Sequence, residues 1–294
     1  MKNRKMPSMS KSKEKLNPLT SPSLKSWGEA PEDHPLSNQN AIIECGWGRL
    51  VFAHTFGTNR EIANILRDER KGYRDLAIYL RDPHVVVAKA PDELFIDPSY
   101  TYRILLDTVQ TPPASTRNFT IRRLRPSSDI KAINRIYRAR QMVPIDAEFL
   151  KKTYKGKFIT YWVAVDKKDS SIIGVAMGID HHMAFDDPEN GSSLWSLAVD
   201  PQATHPGIGL ELVYRIMAHF KKSQRSFLDV SVLHNNEEAI ALYERLGFQQ
   251  VPAFCVKNKN AINERLFTAG LPEEGALNPY AMIVIDEARR RGIR

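Results

Sequence analysis

Hydrophobic and polar positions divide the chain into two patterned stretches. In the first, residues 41–52 predict a strand or a glycine-broken hairpin, and residues 59–66 place apolar side chains at helical spacing. Residues 75–80 and 84–88 are apolar runs of strand length, separated by a proline-containing turn. These elements predict a small α/β domain of β-α-β-β order over residues 41–110.

The second stretch alternates strand-like runs with amphipathic helices. It predicts strands at residues 119–124, 161–165, 172–179, 193–199, 227–232 and 251–256, and helices after Ser128, from Gly207 to about Phe220, and from Asn236 to Leu246. The last strand should close the unit, and residues 181–191 should form a long loop. Helices interleaved with strands favour a layered α/β (α+β) structure, a mixed sheet flanked by helices over residues 118–256.

The first 40 residues have the composition of a disordered leader. They are rich in Lys, Ser, Pro and Asn and lack apolar periodicity. The net charge is +8, and the first 28 residues contribute seven Lys or Arg against one Glu. A basic tail can bind nucleic acid or anionic lipid. Neither interleaved aromatic residues nor a recognition helix accompanies it, so we expect neither a nucleic-acid nor a membrane partner.

Other sequence features limit the cellular compartment and the cofactors that we expect for the protein. No run approaches the ~18 apolar residues of a membrane span, and no secretory apolar region follows the basic start. The two cysteines, Cys45 and Cys255, form neither a disulfide framework nor a metal-binding spacing. Adjacent His181 and His182 leave a metal site open but lack a spaced third ligand. We therefore predict a cytoplasmic protein without a metal.

A strand, a turn and a glycine pair opening a helix form the most informative segment. A helix N-terminus has unpaired N–H groups and a partial positive charge, and Gly207 and Gly209 let an anion approach that backbone. The segment predicts a pyrophosphate cradle. A tight turn that needs glycine only for its shape is an equal alternative. No Gly-Lys-Ser/Thr follows, which excludes a Walker P-loop, and a missing third glycine disfavours a dinucleotide-binding turn.

A second motif lies on the helix that follows the next strand. Asn236 is suited to cap this helix, Ala239 and Tyr243 share one of its faces, and Gly247 is placed to end it. Taken with Val199-x-Pro201 and the glycine turn, this motif resembles the helix-4 and coenzyme-A motifs of the GNAT acetyltransferase superfamily. The resemblance covers about residues 118–256.

The resemblance implies a GNAT fold that uses acetyl-CoA as co-substrate to acetylate a primary amine. Tyr243 would act as the general acid that protonates the departing thiolate; a packed aromatic is the alternative. Thr204 stands where the family usually has Arg or Gln, which removes one phosphate contact. The cofactor-binding residues would be the strand Leu197, Ala198 and Val199, which splays to bind pantetheine, the turn His205, Gly207, Ile208, Gly209 and Leu210, which binds the pyrophosphate, and Asn236.

The general base is not identified by the sequence. An attacking amine must lose a proton, and a histidine or a carboxylate acting through water would accept it. The strand at residues 193–199 contains no acidic residue. The candidates that flank it are Asp180, His181, His182, Glu189 and His234.

A narrower resemblance concerns three segments outside those motifs. They are Cys45-Gly46-Trp47-Gly48-Arg49, residues 82–86 and residues 276–293, the last similar to the start of the ATP-grasp segment in cyanophycin-synthetase-like proteins. Together they resemble the acetyltransferase half of the bacterial N-acetylglutaminylglutamine synthetases, which serve osmoprotection. This implies glutamine or a glutamine dipeptide as acceptor, with ATP-grasp ligase and amidotransferase partners.

Three hypotheses for the function and two for the C-terminal extension therefore stay open. The chain acetylates glutamine or its dipeptide, it acetylates another small amine or a protein, or it is a catalytically silent CoA-binding scaffold for a ligase. The extension at residues 257–294 joins or docks a ligase, or its helix packs on the body of the protein.

Overall fold

A computed structural model of the chain describes residues 39–109 and 117–268. The predicted leader up to residue 38, the linker at residues 111–115 and the helix at residues 276–292 lie outside the described residues. In the described part, no helix is long and apolar enough to cross a membrane.

Strands and helices alternate along the described residues. The strands are β1 (Ile42–Glu44), β2 (Arg49–Phe52), β3 (Leu76–Leu80), β4 (Leu94–Ile96), β5 (Ser99–Leu105), β6 (Phe119–Arg123), β7 (Ile159–Asp166), β8 (Ile172–Asp180), β9 (Gly191–Val199), β10 (Phe227–Leu233), β11 (Gln249–Val251) and β12 (Phe254–Asn258). The helices are α1 (Asn59–Arg67), α2 (Pro83–Val87), α3 (Pro126–Ala139), α4 (Ala147–Thr153), α5 (His181–Phe185), α6 (Ile208–Lys222), α7 (Glu237–Arg245) and α8 (Glu264–Thr268).

The strands form two mixed sheets. One has five strands in the order β1-β2-β3-β12-β4, with β2 and β3 parallel. The other has seven strands in the order β11-β5-β10-β9-β8-β7-β6, with β9 and β10 parallel. Apolar residues of α3 pack on one face of the seven-stranded sheet together with the five-stranded sheet, and those of α6 and α7 pack on the other face. The predicted mixed sheet flanked by helices is confirmed.

The two sheets exchange strands. β5 precedes the predicted second domain in sequence, yet it pairs along its whole length with β10 and also with β11. β12 follows that domain and lies between β3 and β4 of the five-stranded sheet. The prediction that residues 251–256 form one closing strand is therefore wrong. Pro252 has no N–H to donate, so the ladder breaks there and the chain passes from one sheet to the other.

A buried ion pair joins β5 to β10. Arg103 and Asp229 are directly opposite in the antiparallel register, and the guanidinium donates two hydrogen bonds of 2.8 Å to the carboxylate. The same guanidinium lies 3.7 Å from the centre of the Phe227 ring. Burial disfavours the charged guanidinium, but the Asp229 carboxylate more than compensates and raises the pKa of Arg103. The pair therefore specifies how β5 enters the seven-stranded sheet.

Two other local predictions are wrong. Residues 84–87 form part of helix α2 rather than a strand, and Ala88 caps its C-terminus; Pro83 occupies the first turn, where its missing N–H costs nothing. A short apolar run does not distinguish a strand from a buried helical turn. The predicted loop at residues 181–191 begins with α5, which Asp180 caps by accepting a hydrogen bond from the Met183 N–H at 3.0 Å.

Replacing Asp229 with Asn should destabilise the whole protein. The substitution keeps the shape of the side chain but removes the carboxylate that pairs with the buried Arg103 charge, and such changes cost about 3–5 kcal/mol. Urea unfolding followed by circular dichroism measures this loss. The matched control is Glu93→Gln, which breaks an exposed 2.8 Å pair with Arg67 and should cost less than ~1 kcal/mol. Equal stability of the two variants would contradict the role of the buried pair.

Candidate functional site

The glycine turn leads into α6 and leaves the N-terminus of this helix without a side-chain cap. Gly207 caps the helix in the left-handed region, with φ 80° and ψ 13°, and no side chain caps the first turn. The Glu211 N–H makes the first backbone hydrogen bond, to the Gly207 carbonyl oxygen at 3.0 Å. The N–H groups of Ile208, Gly209 and Leu210 precede that bond and lack an intrahelical acceptor. This is the geometry of an anion-binding site.

A cation that the sequence did not indicate stands beside this turn. A Cβ atom built on Gly207 would lie 3.2 Å from Arg117 Nη1, and the same guanidinium pairs with Glu211 at 3.2 Å. His205 turns its ring the other way, to Asp166 on the β7–β8 hairpin, with 2.8 Å between Nε2 and Oδ2. Thr204 cannot supply the side-chain phosphate contact that the family usually has at its position. The Arg117 guanidinium instead places positive charge beside the glycine turn. It follows the predicted linker in the sequence, and nothing there marks it as functional.

Strands β9 and β10 part beside the glycine turn. They pair only as far as Leu194 and Val230, and beyond this point β9 continues along β8 alone. A register shift brings Ser196 into the left-handed region at φ 51°. From α3, the Tyr137 hydroxyl donates to the Ser196 carbonyl oxygen and Arg140 Nε donates to that of Val199. The result is a wedge along Leu197–Val199, the splay that the motif resemblance implies.

Helix α7 lies against the start of α6. The Asn236 side chain caps α7 by accepting from the Ala239 N–H at 3.2 Å, and a Cβ atom on Gly209 would lie 3.9 Å from Leu242. The Tyr243 ring is buried, with its centre 5.5 Å from that of Phe248. Burial raises the pKa of Tyr243, so its hydroxyl stays protonated at neutral pH. Among the described residues nothing forms a hydrogen bond with this hydroxyl, which leaves it able to donate a proton to a ligand.

A cavity of about 150 Å³ opens at the wedge, between the two sheets. One side comes from β9 and β10 and the other from the five-stranded sheet and its loops. Its lining residues are Trp47, Arg74, Leu76, Asp97, Ser99, Met142, Val143, Trp195, Ser196, Ser231, Leu233 and Lys257. Ser196 of the cavity wall immediately precedes Leu197–Val199 of the wedge in the sequence.

Comparisons with known proteins identify this arrangement. The sequence model of the acetyltransferase (GNAT) family matches residues 130–248, from within α3 to just beyond α7. This part of the chain is similar to the GNAT acetyltransferases. Because enzymes of this family use acetyl-CoA, the match supports acetyl-CoA-dependent N-acetyl transfer as the activity of this segment.

Several solved structures with similar folds are named as GNAT proteins, and their sequence identity to this chain is low. A GCN5-related N-acetyltransferase from Kribbella flavida matches with a TM-score of 0.50 at 10% identity, over 77% of this chain and 92% of that one. A GNAT-family protein from Novosphingobium aromaticivorans gives 0.48 at 12%, over 76% and 93% of the two chains. A GCN5-related N-acetyltransferase from Sphaerobacter thermophilus gives 0.46 at 16%, over 74% and 75%. No curated protein sequence matches the chain.

The predicted cofactor-binding residues lie on the splayed strand, at the glycine turn and at the start of α7. Leu197, Ala198 and Val199 lie on the splayed part of β9, and His205 to Leu210 form the turn and the open end of α6. Their roles toward acetyl-CoA stay predictions, as does the general-acid role of Tyr243. The side-chain oxygen of Asn236 is already used to cap α7, so any cofactor contact from Asn236 would come from its other atoms.

The five flanking candidates for the general base do not line the cavity. Asp180 pairs with Arg225 at 2.8 Å, and the His234 N–H donates to the Pro98 carbonyl oxygen. Among the residues that line the cavity, Asp97 is the carboxylate, which makes it the better candidate for the proton acceptor. Asp97 lies in the first stretch of the sequence, where no motif marked it.

His181 belongs to a buried chain of polar groups instead. Its Nε2 lies 2.8 Å from Ser193 Oγ, its Nδ1 lies 3.6 Å from Asp187, and Ser193 Oγ also accepts from Trp195 Nε1 at 2.7 Å. Burial opposes ionisation of Asp187, but hydrogen bonding to His181 lowers its pKa to about 2. This series of hydrogen bonds ends at Trp195, which lines the cavity. His181 therefore helps to position the Trp195 side chain in the cavity wall. Within the described residues no group of three His, Cys, Asp or Glu could hold a metal ion.

Replacing Gly209 with Asp should weaken binding of CoA by tenfold or more, about 1.4 kcal/mol, because a carboxylate would face the phosphates. Gly209→Asn adds the same bulk without the charge and should weaken binding less. At Gly209 a Cβ atom makes only ordinary contacts, 3.8 Å to Val199 and 3.9 Å to Leu242, so both variants should fold. Calorimetry with CoA measures the affinities. Unchanged affinity in a folded Gly209→Asp variant would contradict binding of the CoA phosphates at the N-terminus of α6.

Replacing Tyr243 with Phe should lower turnover by ~10²-fold or more and leave CoA affinity unchanged, because only the proton donor is lost. Steady-state rates with acetyl-CoA measure the first effect, and calorimetry measures the second. The control is Tyr102→Phe. It removes a hydroxyl of β5 that forms a 3.0 Å hydrogen bond with Glu244, which lies on the same helix as Tyr243. Wild-type turnover in Tyr243→Phe would contradict the general-acid role and would mean that Tyr243 serves only as a packed aromatic side chain.

Proposed function

We propose that the chain transfers the acetyl group of acetyl-CoA to the α-amine of glutamine or of a glutamine dipeptide, in the synthesis of the osmoprotectant N-acetylglutaminylglutamine amide. The observation that carries the proposal is the cavity at the wedge. With a volume of about 150 Å³ and walls from both sheets, it suits a small acceptor better than a protein segment.

The narrower sequence resemblance supports glutamine as the acceptor. The segment Cys45-Gly46-Trp47-Gly48-Arg49 resembles N-acetylglutaminylglutamine synthetases, and Trp47 lines the cavity. A segment that carries the resemblance therefore also lies in the wall of the proposed acceptor site. The same resemblance is the basis for proposing an ATP-grasp ligase and an amidotransferase as partners of the chain.

The residues of the site divide the reaction between them. The N-terminus of α6 binds the pyrophosphate, and Leu197–Val199 bind the pantetheine arm through backbone groups of the splayed strand. One N–H of that strand donates to the thioester carbonyl and stabilises the negative charge that develops on its oxygen. The acceptor amine forms the new C–N bond as the C–S bond breaks. Tyr243 protonates the departing thiolate, and Asp97, through water, accepts the proton that the amine loses.

The proposal predicts acetyl transfer to glutamine or glutaminylglutamine by the purified full-length protein. Release of free CoA and mass spectrometry of the products measure it, with and without a co-expressed ATP-grasp ligase. The panel includes glutamate, asparagine, a polyamine and a lysine-containing peptide. Acetylation confined to the polyamine or the peptide would overturn the glutamine proposal. CoA binding without transfer to any amine would favour the silent scaffold.

A further inference from the structure

The cavity at the wedge contains three charged side chains, and two of them neutralise each other. Lys257 Nζ lies 2.6 Å from Asp97 Oδ1, and both side chains are buried. The Ser99 hydroxyl donates to the other carboxylate oxygen at 2.6 Å, and the Asp97 N–H donates to the Cys255 carbonyl oxygen. Each Asp97 carboxylate oxygen therefore accepts one hydrogen bond, Oδ1 from Lys257 of β12 and the other from Ser99 of β5.

Arg74 is the third charge, and no carboxylate of the described residues is in contact with it, although Asp97 and Glu69 lie close enough to favour its charged form. Among the residues that the structure describes, no carboxylate lies within 4.0 Å of its guanidinium. Its Nη2 donates to the Ile262 carbonyl oxygen at 3.2 Å, and its Nε is buried without a hydrogen-bond partner. Burial lowers the pKa of Arg74, Asp97 and Glu69 offset this only in part, and the nearby Arg265 lowers the pKa further. Cations shielded from water are normally paired, so the charge of the half-buried Arg74 is only partly compensated.

The backbone keeps Arg74 beside the cavity. Its N–H donates to the Trp47 carbonyl oxygen at 3.0 Å, and a Cβ atom on Gly48 would lie 1.8 Å from the Arg74 carbonyl oxygen. Only glycine therefore fits at residue 48. The Trp47 indole Nε1 is also buried without a partner among the described residues. Two nitrogen donors of residues that line the cavity thus lack an acceptor among the described residues.

Aromatic surface completes the cavity. The rings of Trp47 and Trp195 lie 6.5 Å apart at an angle of 42°, and both line it. Such rings suit the aliphatic part of an amino-acid side chain. The cavity therefore combines a partly compensated cation, two aromatic walls and an edge formed by the wedge.

We propose that Arg74 binds the carboxylate of the acceptor, so that the enzyme acetylates amines that bear a carboxylate, namely amino acids or short peptides with a free α-amine. The inference rests on the proposed acetyl transfer and adds the group that selects the acceptor. Polyamines and lysine side chains within proteins lack this carboxylate and would leave the Arg74 charge only partly compensated. Arg74 is thus a specificity-determining residue supplied by the five-stranded sheet.

The test compares each acceptor with its carboxamide, which keeps the amine and the side chain but removes the negative charge. For the wild-type enzyme, KM for the carboxylate acceptor should be about 30-fold or more below that for the carboxamide, the usual effect of one buried charge pair. Arg74→Gln should raise KM for the carboxylate acceptor by the same factor and leave KM for the carboxamide and for acetyl-CoA unchanged. Arg74→Lys should recover part of the preference.

The control is Arg70→Gln, which removes an exposed guanidinium paired with Glu44 on the same sheet and should change neither KM. Equal KM values of the wild-type enzyme for carboxylate and carboxamide would overturn the inference while leaving acetyl transfer established. That comparison needs no variant, so it decides the matter even if Arg74→Gln fails to fold. An equal rise of both KM values in folded Arg74→Gln would also overturn it. If the wild-type protein transfers acetyl to no amine, the proposed function itself fails.

Discussion

The pairing of β5 with β10 is the interaction on which the rest of the structure depends. It carries a strand from the first half of the chain into the acetyltransferase sheet, and the Arg103–Asp229 ion pair fixes its register. The return of β12 to the five-stranded sheet completes the exchange. Because each sheet contains a strand from the other half of the sequence, the two sheets cannot separate without breaking main-chain ladders.

The exchange also explains where the acceptor cavity lies. Asp97 immediately precedes β5 and Lys257 lies on β12, so the strands that cross between the sheets bring this pair to the wedge. Trp47 and Arg74 approach from the five-stranded sheet, opposite Trp195 of β9. In the proposed reaction, the seven-stranded sheet and α6 supply the site for acetyl-CoA, and the charged groups that face the acceptor come from the five-stranded sheet and its loops. In this account the first patterned stretch is half of the active site.

The glycine turn and the ends of α6 and α7 were predictable from the sequence, because they depend on local interactions. A glycine pair after a strand, Asn236 before a helix and Gly247 after it each act within a few residues, and the structure places them at the expected helix termini. The strand exchange was not predictable, because periodicity reports which face of a strand is buried and not which strand it pairs with. Arg74, Asp97 and Lys257 meet only through that long-range pairing, and no local spacing links them. Helix α2 was missed because its apolar run is too short to reveal a helical period.

A crystal structure of the enzyme with CoA and an unreactive acceptor analogue tests the central claim most directly, because it shows whether the strand exchange builds the acceptor site. The account predicts density for CoA phosphates at the N–H groups of Ile208, Gly209 and Leu210. It also predicts density for the acceptor between Trp47 and Trp195, with its carboxylate against Arg74. Acceptor density on the α6 side of the sheet, away from every residue of the five-stranded sheet, would contradict it.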